Sequence, residues 1–160
     1  MTIRIEGAGA GALLQEARLL FAEYAASLRV DLAFQGFEAE LAGLPGAYAP
    51  PQGRVLVALA AESPAGCVGV RPLEAGICEM KRLYVRAEFR GQGIGRQLAA
   101  MALSEARSAG YDSMRLDTLA SMPAARRLYD ELGFVAIPPY RHTPLPGAEF
   151  LEVDLRPGEG

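Results

Sequence analysis

Cysteine and histidine are scarce in this 160-residue chain, which has two cysteines, Cys67 and Cys78, and one histidine, His142. Neither cysteine belongs to a Cys-x-x-Cys pair, and His142 has no metal-binding partner nearby, so nothing here is patterned as a structural zinc site. The cysteines read instead as small buried hydrophobes on strands of a protein in a reducing cytoplasm, with a disulfide between them left open. An excess of positive charge is also missing. Formal net charge is −3 and no segment carries a basic stripe, which argues against a nucleic-acid partner. The longest apolar run, Val55 to Ala61, is strand length and too short to cross a bilayer. The stretch from Met1 to Gly7 carries Arg4 and Glu6 and lacks the apolar centre of a signal peptide, so the expected location is cytoplasmic, with no membrane partner.

What is present suits one globular domain. Apolar residues make up 51% and charged residues 22% of the chain. Its length predicts a single domain over 1–155, followed by a loose tail at 156–160. Thr2 to Glu6 reads as a strand. Leu13, Ala17, Leu20, Phe21, Tyr24 and Leu28 then recur at helical spacing. A short helix fits Phe37 to Ala42. Three strands follow at Arg54 to Glu62, Gly66 to Leu73 and Ile77 to Val85, with a break expected at Ser63-Pro64.

The second half alternates. Gly93 to Ala109 reads as a helix with Ile94, Leu98, Met101, Ala102 and Ala106 on one face. Ser113 to Leu119 is a strand. Ser121 suits an N-cap, with Pro123 in the first turn of a helix burying Ala125, Leu128, Tyr129 and Leu132. Short strands at Phe134 to Ile137 and Glu149 to Leu155 flank a Pro-rich loop. A strand–helix–strand unit among antiparallel neighbours predicts an α/β fold: a central mixed, mostly antiparallel sheet with helices on both faces.

One loop carries the chemistry. Leu83-Tyr84-Val85 leads through Arg86-Ala87-Glu88-Phe89 into Arg90-Gly91-Gln92-Gly93-Ile94-Gly95-Arg96, a passage from strand to glycine-rich turn to helix. Glycine allows the positive φ of a tight turn and clears side chains from an approaching ligand. The free amides and dipole of the next helix then make an anion site suited to a pyrophosphate, flanked by Arg90 and Arg96. The nucleotide-triphosphatase loop is excluded because no Gly-Lys-Ser/Thr occurs. The dinucleotide fingerprint fails too, since its third glycine would fall on Arg96. The plain alternative is an ordinary glycine turn before a helix.

Context favours the ligand. Arg-x-x-Gly-x-Gly after Met80-Lys81-Arg82-Leu83-Tyr84-Val85 resembles motif A of the GNAT superfamily of N-acetyltransferases. Ala125-Arg126-Arg127-Leu128-Tyr129-Asp130-Glu131-Leu132-Gly133-Phe134 resembles that family's second hallmark. The two occur in the family's order, and the element order matches its three-layer α-β-α fold from Thr2 to Leu155.

The resemblance implies an acetyltransferase with acetyl-CoA as co-substrate and no metal. It implies that backbone amides of Gly91, Gln92, Gly93, Ile94, Gly95 and Arg96 hold the CoA pyrophosphate. The pantetheine would pair with Leu83 and Val85, and the Leu83 N–H would polarise the thioester carbonyl. Amine acetylation needs two proton transfers, because an alkylammonium with a pKa near about 10 must lose a proton and the thiolate must gain one. Glu79 stands where several members carry a general-base glutamate; its structural alternative is an ion pair with Lys81 on the same strand face. Tyr129 matches the family's general-acid tyrosine; its alternative is a core aromatic beside Leu128 and Leu132. One departure is Met122, where many relatives carry an asparagine that contacts the cofactor.

The acceptor site of such proteins maps to Asp31 to Phe37 and Pro138 to Pro146, with Phe34, Phe37 and Tyr140. Asp31, Glu38 and Glu40 suit a cationic amine, whereas Arg141 suits a carboxylate-bearing one; His142 reads as a solvated loop residue. The expectation is a small-molecule amine as acceptor, with homodimerisation through strand edges left open. Rival readings are a protein-modifying acetyltransferase, a non-catalytic acyl-CoA-binding module and a structural dimerisation domain.

Overall fold

The computed structural model describes residues 2–28, 36–119, 122–143 and 145–157. Seven strands form one sheet in the order β1-β2-β3-β4-β5-β7-β6. They are β1 (Ile3–Gly7), β2 (Arg54–Ala60), β3 (Ser63–Glu74), β4 (Ile77–Val85), β5 (Ser113–Leu119), β6 (Val135–Ile137) and β7 (Ala148–Asp154). The helices are α1 (Gly11–Ser27), α2 (Phe37–Ala42), α3 (Ile94–Ser108) and α4 (Pro123–Glu131). Alternation along β2 explains the layering. Leu56, Ala58 and Ala60 join one core with Leu98, Ala102 and Ala106 of α3. Val55, Val57 and Leu59 join a second core with Leu20 and Phe21 of α1 and Phe37 of α2. Both faces of the strand are buried, so its sequence is a continuous apolar run rather than an alternating one. The expected α/β fold, a mixed, mostly antiparallel sheet between helices, is what forms.

Two features of β4 create the site. It is the partner in the one parallel pairing among the described strands, with β5, and that register covers only Ile77↔Ser113, Cys78↔Met114 and Glu79↔Arg115. Beyond Glu79 the two strands diverge. On its other edge β4 pairs with β3 at Gly69↔Lys81 and at Cys67↔Tyr84. Two steps along β3 therefore face three along β4. The extra residue is a β-bulge at Arg82-Leu83, and Arg82 takes a left-handed φ of 63°. A bulge bends the strand and re-aims the groups beyond it.

Three expectations are corrected. The first hairpin turns at Ala61-Glu62, whose φ values are 48° and 71°, so that Ala60 faces Ser63. Ser63 and Pro64 belong to β3. A two-residue hairpin matching the twist of its strands needs left-handed central residues. Here non-glycine residues supply them, with the Ala61 N–H anchored on the Thr2 carbonyl at 3.1 Å. Met101 is 37% exposed, and Ala99 and Leu103 fill the buried face of α3 instead. The N-cap position of α4 is Met122, with no side-chain cap bond; Ser121 lies outside the described residues. Both cysteines are free and buried.

Candidate active site

The glycine loop opens where β4 ends. Gly91 and Gly93 have φ values of 80° and 79°, and a β-carbon at either would meet nothing within 4 Å. The loop is thus both left-handed and unobstructed, as close approach by a ligand requires. Ile94 is 2% exposed and pins the first turn of α3 to the core. The Gln97 N–H bonds back to the Gly93 carbonyl, and the amides before it open toward the loop. Arg90 donates from Nε to the Val85 carbonyl at 2.9 Å. Arg96 is ion-paired with Glu131, which ties α3 to α4.

From this loop a groove of about 560 Å³ runs inward. Arg90, Gly95, Val85 and Leu83 line one side, and Met122 and Leu128 line the other. It continues into a chamber of about 70 Å³ in the gap between diverging β4 and β5. Leu83, Met122 and Ala125 belong to both spaces, and the chamber adds Lys81, Asp117 and Tyr129. The residues at hand fit a long phosphorylated thioester: an anion cradle at the mouth, a strand edge along the wall and a small polar chamber at the end. Tyr129 is 7% exposed and sits edge-on to Phe134 at 5.7 Å. Burial pushes its hydroxyl above the usual tyrosine range, so it stays protonated at neutral pH.

Opposite the groove lies a chain of alternating charges. Arg82 donates to Glu40 at 2.9 and 3.2 Å. Glu40 meets Arg71 at 3.5 Å, and Arg71 meets Glu79 at 3.0 Å. Glu79 meets Arg141 at 2.6 Å; Arg141 faces Asp117 at 3.9 Å, and Asp117 faces Lys81 at 3.6 Å. The Tyr140 hydroxyl donates to Glu79 at 2.7 Å. Glu79 is fully buried, and both of its oxygens are occupied. Burial by itself would raise this carboxyl, but Lys81, Arg141 and Tyr140 outweigh it and hold it at about 2. Lys81 moves the other way: burial lowers its ammonium, against the pull of Asp117 and Glu79, to about 8.

The structure therefore brings Leu83 and Tyr129 together at one chamber, and Val85, Arg90 and Gly95 to the groove leading there. Gly91, Gln92, Gly93 and Arg96 are exposed at its mouth. Glu79 lies in the charge chain, with Arg71 and Arg141 as its direct partners and Lys81 held by Asp117. Of the expected acceptor residues, Phe37 is core, Tyr140 bonds Glu79, Glu40 binds two arginines, and Glu38 and His142 are exposed. Asp31 and Phe34 lie outside the described residues. Arg71, Arg82 and Asp117 were not singled out from sequence, and Lys81 only as a possible ion-pair partner of Glu79. Their signal was a run of charge, Glu79, Lys81 and Arg82, inside a central strand where apolar residues are the rule.

A sequence model of the acetyltransferase (GNAT) family matches residues 17–134, covering both the cradle and α4. The chain belongs to the GNAT acetyltransferase family. An uncharacterized N-acetyltransferase of Schizosaccharomyces pombe is 40% identical over 89% of this chain and 88% of its own length. A GNAT-family acetyltransferase of Staphylococcus aureus shares the fold with a TM-score of 0.78, at 19% identity over 97% of this chain and all of its own. The structure of yncA from Salmonella typhimurium, solved with its cofactor acetyl-CoA, superposes with a TM-score of 0.69 at 20% identity, covering all of this chain and 98% of that one. This GNAT protein is an acyltransferase, and no described helix is long and apolar enough to cross a membrane.

Proposed function

We propose that this GNAT protein moves the acetyl group of acetyl-CoA to the primary amine of a small molecule, by direct attack on the thioester. The observation that carries this reading is the continuity of the groove: it begins at an unobstructed glycine cradle and ends in a chamber lined by Leu83 and Tyr129. The binding of acetyl-CoA by a neighbour of the same fold supports the donor. In this reading the amides from Gly91 to Arg96 hold the pyrophosphate, and Leu83 and Val85 align the pantetheine. The Leu83 N–H, beside the bulge, steadies the charge that develops on the carbonyl oxygen. Tyr129 protonates the departing sulfur. Glu79, whose oxygens are taken and whose carboxyl is strongly acidic, acts as the anchor that fixes Tyr140 and Arg141 on the acceptor side rather than as the base. Arg141 favours an acceptor that carries a carboxylate beside its amine.

The test is thiol release from acetyl-CoA in the presence of amino acids, polyamines and a lysine-containing peptide. Turnover is expected for a small amine and is greatest among those bearing a carboxylate. Turnover of the peptide alone would favour the protein-modifying alternative. No turnover by a protein that binds acetyl-CoA would favour a non-catalytic module.

A further inference from the structure

We propose that the ε-amine of Lys81 is the general base of the transfer, taking the proton that the attacking amine sheds as the new C–N bond forms. The proposal rests on the N-acetyltransferase reading above. Its ground is position. Glu79 and Lys81 share the face of β4 that looks away from α3, whereas Cys78 and Met80 join the α3 core. Glu79 is still within the paired part of the sheet, but Lys81 is past it. There the strands have parted, and the Lys81 ammonium reaches across the gap to Asp117 of β5 at 3.6 Å. That gap is the chamber, and Lys81 and Tyr129 both line it. A thioester carbonyl held by the Leu83 N–H, two residues along the same strand, would lie between them.

Charge and burial suit the task. The Lys81 side chain is 3% exposed. The groups facing it among the described residues are Asp117 on β5, Glu79 and Arg82 on β4, Arg71 on β3 and Tyr129 on α4, with Arg141 beyond Asp117. Two carboxylates and three guanidiniums leave burial as the dominant influence, and the amine is neutral in a sizeable fraction near pH 8. Glu79 is too acidic for this work, and Tyr129 holds its proton too tightly.

The step balances. The acceptor nitrogen attacks the carbonyl carbon, and the C–N bond forms. Its extra proton passes to the Lys81 lone pair. The C–S bond breaks, the sulfur takes the electron pair, and Tyr129 supplies its proton. Lys81 then returns its proton to solvent, Tyr129 regains one, and the products are an amide and a free thiol.

Lys81 is the sole lysine of the chain, so a protein carrying 13C-lysine gives one side-chain signal. Its titration is expected near pH 8, and a midpoint above about 10, the ordinary lysine value, would overturn the proposal. The kinetic probe is the amine turned over fastest in the panel above. Expressed per neutral amine, so that the acceptor's own ionisation drops out, the kcat/KM of the parent should rise with pH to a plateau above about 8. Lys81→Arg keeps the charge and the contact to Asp117 but cannot lose its proton. It is expected to bind acetyl-CoA as the parent does, to lose about 100-fold or more in kcat/KM, and to lose the rise with pH. Undiminished turnover with the same pH profile in Lys81→Arg would overturn the assignment. If Lys81→Arg fails to bind acetyl-CoA, Lys81→Met, an apolar chain of similar length, decides by the same two readouts. An absence of turnover with every amine would instead remove the N-acetyltransferase reading, and the base with it.

Discussion

Tyr129 and Lys81 line the same small chamber, yet burial moves their protons in opposite directions. Loss of water disfavours the charged form of each, so the tyrosine keeps its proton until negative charge arrives beside it and the lysine gives its proton up more readily. Tyr129→Phe keeps the ring against Phe134 and removes only the hydroxyl. It should lower kcat by about 100-fold while acetyl-CoA affinity, read by calorimetry, stays unchanged; an unaltered kcat would leave Tyr129 a packing residue. Glu79 makes a different prediction. Its folded carboxyl lies near 2 against an ordinary 4.5, so its contribution to stability is fully present above pH 4.5 and fades as pH falls toward 2. That contribution is on the order of 3 kcal/mol. Urea unfolding should therefore find Glu79→Gln much weaker than the parent at pH 7, with the gap closing between pH 4.5 and 2. A gap that does not depend on pH would mean that the anchor works by shape rather than by charge.

Elements carry the next level. The bulge in β4 and the parting of β4 from β5 build the chamber, and the neighbouring strand β3 packs closely against α1 and Tyr48. Gly69 is the tight point. A β-carbon there would lie 2.6 Å from the Tyr48 ring and 3.3 Å from Phe21. The Tyr48 hydroxyl donates to Glu40 at 3.1 Å, so a shifted ring would disturb the charge chain as well. Gly69→Ala is expected to cost about 1–3 kcal/mol in denaturant unfolding and to lower turnover; a neutral result would mean that the ring moves aside freely. Element by element, legibility in the sequence followed locality. β4 was legible end to end, because Gly76 bounds it on one side and charged residues on the other. The stripe of α4 and the glycine loop were legible for the same local reason. The turn at Ala61-Glu62 was not, because neither residue announces a left-handed φ. Nor was the bulge at Arg82, which only the register with Cys67 and Gly69 reveals. The charge chain was hidden by distance: Arg82 meets Glu40 across 42 residues and Tyr140 meets Glu79 across 61.

At the scale of the whole molecule, the sheet is a hinge held open. Paired at one end through Ile77, Cys78 and Glu79 and parted at the other, β4 and β5 leave a single gap. The cradle and groove approach it between the end of α1 and the start of α4, and the charge chain lies beside it under α2. Donor and acceptor would thus meet end to end across the sheet, with Lys81 and Tyr129 at the meeting point. Acceptor binding and proton transfer both depend on a donor seated in the cradle and groove. Calorimetric titration with acetyl-CoA, of the parent beside Gly93→Glu, tests that seating most directly. The variant forces a side chain onto a backbone with φ of 79° and puts negative charge at the mouth of the groove. The account predicts binding by the parent and its loss in the variant, with the same far-UV spectrum for both. No binding by the parent at millimolar acetyl-CoA, or equal binding by the two, would contradict it.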